Sequence, residues 1–380
     1  MRIAILTLPP HTNYGGILQA YALEKTLESM GNEVDVLAAP KHIIRLPWWR
    51  HILSISKRVF LKYILGKKDI WIDRVKGEQK KSELSMANTK KFVSNYIHIR
   101  VVGNLDEIKP DDYGAIIVGS DQIWRQTYNQ IWNGQRIDDV YLGFTRGWNI
   151  NRIAFAASFG KDEIEIKDEI DLRKCREAIS QFDAVSTREE SGVKICSEVL
   201  GYKNAKWMPD PTLLLSKDDY ESLIPNFNKQ ATKQQLLSYM LDDNAEKSAL
   251  RSRIAKEKNL IVNITNKVDY WKEGEEIIPQ PPVEEWLRAF AESEYVITDS
   301  FHACVFSIIF HRQFTVLANK DRGIARFTSL LSMFGLGDRM IYSPSEYKVL
   351  PDIDYAKVDE LLKERRKDAK NFLLTNIQIQ

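Results

Sequence analysis

The stretch RIAILTLPPHTNYGGILQAYALEKTLESMGNEVDVL, residues 2–37, decides the fold class. It opens with a short apolar run, Arg2–Leu6, and passes through two prolines and two glycines into a segment whose apolar residues recur at helical spacing. Gly31 and Asn32 end that segment, and a second short apolar run follows. A strand, a helix and a strand in this order form a βαβ unit, whose strands are parallel. We therefore expect an α/β protein built on parallel sheets.

The same pattern continues along the chain in two series. Apolar runs of strand type lie at 115–118, 152–156 and 184–186, and a second alternation of strands and helices runs from 236 to 374. Between the two series lies the loop Pro209–Thr212, whose composition is typical of a boundary. We therefore predict two doubly wound, Rossmann-like domains, 1–208 and 209–380, that face each other across a cleft, the second with a closing helix.

Composition excludes several classes of protein. The 380 residues include 54 Lys and Arg against 52 Asp and Glu, a net charge of +2, whereas a nucleic-acid binder usually shows a strong basic excess. No apolar run has the length of a transmembrane helix, and the first residues do not have the pattern of a signal peptide. The three cysteines, Cys175, Cys196 and Cys304, form no CxxC pair and no disulfide framework. We expect a reduced, cytoplasmic protein with no nucleic-acid partner.

Residues 41–68 differ in composition from the rest of the first domain. Eight Lys and Arg occur there with no acidic residue between them, interleaved with Trp48, Trp49, Phe60 and Tyr63 among other apolar residues. The interpretation that we favour is an amphipathic helix packed on the domain with a basic face in solvent. The alternative is a contact with a membrane surface or a lipid diphosphate, because aromatic and basic side chains suit an anionic interface.

Two strand-to-helix turns of the first domain carry groups that can bind ligands. At residues 13–16 (NYGG), glycines let the backbone approach a ligand and free N–H groups favour an anion; a plain tight turn is the alternative. The turn matches neither GxGxxG nor a P-loop, so it does not indicate a nucleotide site of the usual kinds. In the second turn, Ser120, Asp121 and Gln122 follow a buried strand, and such groups bind sugars, position a water or cap a helix.

The second domain contributes a histidine and two arginines. His302 follows a strand and opens an apolar helix, whose dipole disfavours the imidazolium, so we expect a neutral imidazole near pH 7. Such a group can exchange protons with a substrate, unless it only seals the helix start. Arg322 and Arg326 lie four residues apart at another helix start. Their guanidinium groups match the geometry of phosphate and carboxylate groups. The alternative is that both are ordinary surface arginines. Nothing arranges the histidines as metal ligands, so we predict no metal and no other cofactor.

Taken in order, these segments resemble the polysaccharide pyruvyl transferase family. The resemblance extends from about residue 1 to about residue 340. The segments are NYGGILQA at 13–20, VGSDQIW at 118–124, SFG at 158–160, STRE at 186–189, DPT at 210–212 and TDSFH at 298–302. The resemblance implies a GT-B-like fold of two Rossmann-like domains. It also implies transfer of a pyruvyl group from phosphoenolpyruvate to two hydroxyls of one sugar, which gives a cyclic ketal.

The residues and the resemblance together suggest individual roles. We expect His302 and Asp121 to be catalytic residues. The candidates for donor binding are Asn13, Gly15, Gly16, Arg188, Ser300, Arg322 and Arg326, and those for acceptor binding are Ser120, Gln122 and Trp124. Well-studied family members carry an arginine two residues before the histidine, where this chain has Ser300. Another arginine, at position 188, 322 or 326, must then supply the contact with the anion.

Two other functions remain open at this point. One is a GT-B glycosyltransferase that uses a nucleotide sugar, which the fold alone would allow. The other is a non-catalytic, glycan-binding member of a polysaccharide-assembly complex, whose cleft has lost the arginine at position 300. On the pyruvyl transferase hypothesis, the enzyme serves the biosynthesis of a surface polysaccharide, such as capsule or exopolysaccharide. It uses phosphoenolpyruvate as co-substrate and acts on a lipid-linked acceptor at the inner face of the cytoplasmic membrane.

Overall fold

Two parallel β-sheets organise the chain. The structure, a computed structural model, describes residues 1–39, 47–67, 70–129, 136–229, 234–265, 278–318 and 323–377. Most strands are short and apolar, and parallel sheets of this kind are covered by helices on both faces. The strand Arg2–Leu6 shows this arrangement, because Ile3 and Ile5 enter one hydrophobic core whereas Ala4 and Leu6 enter another.

The first sheet has seven parallel strands. They are β1 Arg2–Leu6, β2 Glu33–Ala38, β3 Ile99–Val101, β4 Ala115–Val118, β5 Asn151–Ala157, β6 Ala184–Thr187 and β7 Lys206–Trp207. Their order in the sheet is β3-β2-β1-β4-β5-β6-β7. The order reverses between β1 and β4, so a crevice opens at the carboxyl ends of these two strands, where open α/β sheets bind ligands.

This part of the chain also contains helices. They are α1 Tyr14–Ser29, α2 Trp48–Tyr63, α3 Arg74–Ser85, α4 Ala87–Tyr96, α5 Gln126–Asn129, α6 Glu169–Ile179 and α7 Glu190–Lys194. Helix α1 begins at the crevice, where the Asn13 side chain caps it by accepting a hydrogen bond from the Gly15 amide at 3.1 Å. Its first ten residues are buried, so its amino end is held rigidly beside the carboxyl end of β1.

The second sheet repeats the plan with five strands. They are β8 Gln235–Tyr239, β9 Ile261–Ile264, β10 Tyr295–Thr298, β11 Gln313–Leu317 and β12 Met340–Ile341, all parallel. Their order, β12-β11-β10-β8-β9, reverses between β8 and β10. The helices are α8 Lys217–Glu221, α9 Ala245–Lys258, α10 Val283–Ala291, α11 Phe301–Ile309 and α12 Ile324–Met333. Helix α11 begins at the point of reversal, and all nine of its residues are buried.

The last helix, α13 (Tyr355–Ile377), returns to the first sheet. The Phe372 ring packs against Phe155 of β5, with ring centroids 6.1 Å apart. The Asn151 side-chain amide, at the start of β5, donates a hydrogen bond to the Ile377 carbonyl at 3.0 Å. Residues of both sheets and of α13 therefore share one continuous hydrophobic core.

The predicted fold class is confirmed. Each sheet is doubly wound, and together they give the GT-B-like, two-domain α/β architecture that the sequence predicts. The sequence pattern does not reveal β3, β7 and β12, since strands of two or three residues are too short to show a period.

The favoured interpretation of residues 41–68 is confirmed for the helix but wrong for its packing. Residues 40–46 and 68–69, with Lys41, Arg45 and Lys68 among them, lie outside the described residues. Between them α2 forms an amphipathic helix, but none of its residues is buried, and its apolar side chains are exposed to solvent. None of the described helices is both long enough and apolar enough to cross a membrane.

Candidate functional site

The crevices of the two sheets face each other and enclose a cavity of about 550 Å³. The first domain lines it with Asn13, Asp121, Gln122, Arg125 and Tyr128, and the second with Leu241, Asp242, Asp299, Ser300, Phe301, His302, Arg326 and Phe327. These residues follow β1, β4, β8 and β10, or lie on α12. A concave site with several converging polar groups at two sheet crevices is the candidate functional site.

The helix starts of α1 and α11 meet in this cavity. The His302 ring lies over Gly15: a β-carbon placed on Gly15 would be 2.0 Å from Nδ1 of the ring. Only glycine therefore allows this approach at position 15. Gly16 belongs to the first turn of α1, where N–H groups have no partner within the helix, and a β-carbon placed on Gly16 would be 3.4 Å from Oδ2 of Asp121. A histidine and a helix amino end thus share one wall of the cavity.

A buried carboxylate, Asp210, stands behind His302. Its Oδ2 accepts a hydrogen bond from Arg188 at 2.8 Å and lies 3.5 Å from Nε2 of His302, and its Oδ1 accepts from the Thr212 amide and hydroxyl at 3.0 and 2.7 Å. Burial alone would raise the pKa of Asp210, but the contacts with His302, Arg188 and Thr212 hold it well below its usual range. Asp210 is therefore ionised and can fix the orientation of the imidazole.

Two arginines surround the ring of Phe301. The guanidinium carbon of Arg188 is 4.6 Å from the ring centroid and that of Arg326 is 5.6 Å away. Arg188 is also 3.5 Å from Asp121 and is completely buried, so its charge is compensated by two carboxylates. Arg326 lines the cavity itself, and burial together with the charge of Arg188 lowers its pKa to about 10. Arg326 remains a cation at neutral pH and faces the space that a ligand would occupy.

Helix α12, which carries Arg326, is held against the first domain. Its capping residue Gly323 has a φ of +81°, and a β-carbon there would lie 2.0 Å from the Gly160 carbonyl oxygen. The Glu190 amide donates to the Ser329 hydroxyl at 3.0 Å. The buried Glu189 carboxylate accepts from the Phe159 and Gly160 amides and so orders the loop after β5. These contacts place Arg326 opposite the crevice of the first sheet.

Asp299 organises the second crevice. Its carboxylate accepts hydrogen bonds from the Leu241 and Asp242 amides at 2.6 and 3.1 Å and pairs with Lys247 at 2.7 Å. The strand ends of β8 and β10 are thereby joined. The adjoining Ser300 caps α11, since its hydroxyl accepts from the Ala303 amide at 3.5 Å, and it lines the cavity as well.

The structure brings most of the predicted site residues together. Those that line the cavity or touch a lining residue are Asn13, Gly15, Gly16, Asp121, Gln122, Ser300, His302 and Arg326. Arg322 lies outside the described residues, so its role stays a prediction.

Three predicted contacts with substrate are corrected. Trp124 is buried in the hydrophobic core that also contains Ala4 and Leu6. It stacks on Tyr141, and its indole donates to the Val140 carbonyl at 3.0 Å, so it cannot touch an acceptor. Ser120 is fully buried, and its hydroxyl donates to a backbone carbonyl of β5. Arg188 is absent from the lining itself and lies behind it, where it pairs with Asp210 and contacts the lining residues Asp121 and Phe301.

Asp210, Asp299 and Arg125 belong to the site, although none of them is among the residues predicted for it. Asp210 lies in the Asp-Pro-Thr segment, which the sequence identifies only as a boundary and as part of a resemblance. Its proximity to His302 joins residues 92 positions apart, a relation that no local pattern encodes. Asp299, by contrast, directly follows β10, and that position at a strand end is the signal that could have found it.

Among the described residues, the grouping with metal-ligand spacing is Glu24, Glu28 and His98. Glu24 and Glu28 lie in the second half of α1, and His98 lies between α4 and β3. None of the three lines the cavity. The Glu24 carboxylate already accepts from the His98 amide and ring at 3.1 and 2.8 Å. We assign no metal to it.

One family of known proteins matches most of the chain. A family model described as polysaccharide pyruvyl transferase matches residues 13–321. Similar solved structures include Arabidopsis thaliana UGT89C1 complexed with UDP-L-rhamnose (TM-score 0.49, 9 % identity, 99 % of each chain covered). Another is UDP-GlcNAc 2-epimerase from Neisseria meningitidis bound to UDP-GlcNAc (TM-score 0.46, 11 % identity, 100 % of this chain and 95 % of that one). At such low identity and TM-score, nothing about the ligand of this chain follows from them. No curated protein matches the chain.

Proposed function

The chain belongs to the polysaccharide pyruvyl transferase family, and we propose that it transfers a pyruvyl group from phosphoenolpyruvate to two hydroxyls of one glycan sugar, forming a cyclic ketal. One observation carries the proposal: a helix amino end, a buried arginine and a histidine converge on a single cavity between the domains. The donor has a phosphate, a carboxylate and a carbon that must accept a proton. Each of these three requirements has a matching group in the cavity.

The donor's anionic groups are bound from both domains. Arg326 offers a guanidinium fork from α12, suited to a carboxylate or a phosphate. The first turn of α1, with the Gly16 amide, offers N–H groups at the positive end of the helix dipole. Arg326 thereby takes the part of the arginine that the family's known members have where this chain has Ser300. Ser300 contributes a hydroxyl beside these groups.

The reaction needs three proton movements. The methylene carbon of the donor gains a proton, and the neighbouring carbon then bonds to the first sugar hydroxyl, which loses one. Phosphate leaves with its bonding electron pair, the second hydroxyl adds at the same carbon, and the proton that this hydroxyl loses goes to the departing phosphate. His302 exchanges these protons with the substrates, and Asp210 holds its ring. General acid–base catalysis of this kind contributes about 10²–10⁴-fold to a rate.

The acceptor sugar enters from the side of the first domain. Asp121 and Gln122 line the cavity there and supply oxygen and amide groups for sugar hydroxyls. Asp121 also lies next to the helix amino end that binds the donor, so it can accept a hydroxyl proton at the point of attack. The acceptor is a lipid-linked intermediate of a surface polysaccharide, such as a capsule or an exopolysaccharide, and the reaction takes place in the cytoplasm. The free, buried state of the three cysteines suits a reducing compartment.

The test offers the protein phosphoenolpyruvate with candidate lipid-linked glycans and follows the product by proton NMR. A new ketal methyl singlet, with one inorganic phosphate released per ketal, is the expected result. His302→Ala is the inactive variant, and His311→Ala, which removes an exposed histidine on the far side of the second domain, is its matched control. Release of a nucleoside diphosphate from a nucleotide sugar, without phosphate from phosphoenolpyruvate, would identify a glycosyltransferase instead. Tight glycan binding without turnover of either donor would identify a binding protein.

A further inference from the structure

We propose that helix α2 docks the protein on an anionic membrane surface. The helix comprises Trp48–Tyr63, and none of its residues is buried. It belongs to neither hydrophobic core, although it contains nine large apolar or aromatic residues. The proposal does not depend on the identity of the donor or the acceptor, because membrane binding is measurable without either.

Helix α2 is attached to the protein by its polar side. Nε2 of His51 lies 3.0 Å from the Asp73 carboxylate, and Nε of Arg58 donates to the Trp71 carbonyl at 2.6 Å. One turn further, Nζ of Lys62 donates to the Ile70 carbonyl at 3.4 Å. Residues 51, 58 and 62 share one face of an α-helix, since they are spaced by seven and four. The face that a soluble amphipathic helix normally shows to water is thus the inner one here.

The opposite side of α2 is an apolar surface in solvent. Trp48 is 76 % exposed, Leu53 62 % and Tyr63 70 %. Trp49, Ile52, Val59 and Phe60 belong to the same surface, and Ile64 and Leu65 extend it beyond the helix. Single exposed apolar residues are ordinary, but soluble proteins rarely leave a contiguous face of aromatic and aliphatic side chains in water unless a partner covers it.

The charges around this surface select a membrane as the partner. Arg50 and Lys57 lie at its edge and are exposed, and from residue 40 to residue 68 the sequence has no acidic residue. Lysine is depleted in protein–protein interfaces, whereas Lys and Arg flanking Trp, Tyr and Leu are typical of helices that lie in the headgroup region of anionic bilayers. Trp at one end and Tyr at the other suit the same depth, since their rings prefer the membrane–water interface.

The position of α2 in the fold fits this orientation. It follows β2, which runs parallel to β1, so the segment that carries α2 departs from the same edge of the sheet as the turn at Asn13–Gly16. That edge carries the cavity. The segment that carries α2 therefore leaves the sheet at the edge that carries the cavity.

Co-sedimentation of the full chain with vesicles, without donor or acceptor, tests the proposal. Vesicles of phosphatidylglycerol mixed with phosphatidylcholine should bind it, and added salt should weaken the binding. The double variant Leu53→Ser/Phe60→Ser should bind at least about tenfold more weakly, and Lys57→Glu at least about fivefold. Ile170→Ser and Lys363→Glu change exposed residues elsewhere and should bind like the unmodified chain.

Four outcomes would overturn it. They are absence of vesicle binding, equal binding to pure phosphatidylcholine, binding that the α2 variants leave unchanged, and self-association in sedimentation velocity that Leu53→Ser/Phe60→Ser abolishes without any vesicle binding. The last would assign the surface to a second copy of the chain. All substitutions are in exposed side chains, and circular dichroism confirms that each variant is folded. Failure of the pyruvyl transfer reaction would leave the vesicle result intact, and the reverse also holds.

Discussion

The His302 imidazole lies directly over Gly15, although the two residues open helices in different domains. A β-carbon on Gly15 would be 2.0 Å from Nδ1 and 2.1 Å from Cγ of the ring, well inside van der Waals contact. The contact joins the group proposed to move protons to the turn proposed to bind the donor's anions. Any ligand held by the amino end of α1 is therefore adjacent to the histidine.

Gly15→Ala should separate these two groups. The added methyl overlaps the ring, so either the ring or the start of α1 must shift by about 1 Å or more. A misplacement of that size costs about 10²-fold in rate, whereas overpacking costs about 1–3 kcal/mol of stability. We expect turnover to fall by about two orders of magnitude in a protein that remains folded at assay temperature. Gly337→Ala, where nothing lies within 4 Å, is the control. Turnover of Gly15→Ala close to the unmodified rate would disprove the proximity argument.

His302→Ala should lose at least about 10²-fold in turnover while donor binding persists. His302→Gln should not restore the rate, since glutamine can hydrogen-bond but cannot carry a proton. Turnover is measured by phosphate release and donor binding by calorimetry, with His311→Ala as the matched surface variant. Activity of His302→Ala within a few-fold of the unmodified enzyme would make the histidine structural.

Arg326→Lys tests the donor site. Lysine keeps the charge but loses the planar fork, so the apparent KM for phosphoenolpyruvate should rise at least about tenfold, and more in Arg326→Ala, while affinity for the acceptor is unchanged. Arg365→Lys, on α13 and stacked on Trp207, is the control. An unaltered donor KM in Arg326→Ala and in Arg322→Ala would remove both arginines from the donor site.

Asp210 and Arg188 should be coupled in stability. The pair is almost fully buried at 2.8 Å, so Asp210→Asn leaves a buried guanidinium with a weaker partner and should cost about 3 kcal/mol. Arg188→Met combined with Asp210→Asn should cost clearly less than the two single changes added together. The exposed pair Lys174 and Asp171 should show no measurable coupling in the same thermal unfolding cycle. Additive effects in the buried pair would contradict the predicted coupling.

The buried Glu24 carboxyl should make the stability of the protein depend on pH. Burial raises its pKa to about 7, although hydrogen bonds from His98 and the charge of Lys25 oppose the shift. In the unfolded chain a glutamate titrates near 4.3, so between these values the native state holds a proton that the unfolded state has released. The part of the free energy of unfolding that depends on this proton is fully present below about pH 4.3 and is lost as the pH rises through about 7. It amounts to on the order of 3 kcal/mol.

Glu24→Gln should therefore flatten the fall in the thermal midpoint between pH 5 and pH 7.5. Glu28, Tyr21 and His98 also lie near this carboxyl, and they remain in the variant. The control is Glu33→Gln, which removes a carboxylate exposed at the edge of the sheet. A fall of the thermal midpoint with pH that persists in Glu24→Gln but not in Glu33→Gln would contradict the assignment of this pH dependence to Glu24.

The sequence predicts the fold far better than it predicts the site. Each main strand ends in small or polar residues, so the positions of Asn13, Asp121 and His302 at the crevices follow from local patterns alone. Which of those residues face the cavity depends on how the domains meet. Trp124 lies in the turn after the same strand as Asp121, yet its side chain is buried and stacks on Tyr141. Such turns are decided by packing between distant segments.

The orientation of α2 also cannot be predicted from the sequence. Periodicity shows that a helix has an apolar face, but it does not show which way that face points. The contacts of His51, Arg58 and Lys62 with residues 70–73 settle the direction in this structure. Asp210 belongs to the same class of relations, since it meets His302 only after both sheets have formed.

The return of α13 to the first sheet constrains how the protein folds during synthesis. In β5, Phe155 packs against Phe372 and Asn151 bonds to Ile377. Both partners leave the ribosome more than two hundred residues later. Until then, the nascent first domain exposes an apolar face that its own residues cannot cover. Such a delay makes a chain prone to aggregate and dependent on chaperones. It also means that the first domain does not reach its final core before the second has been made, so the cleft is assembled last.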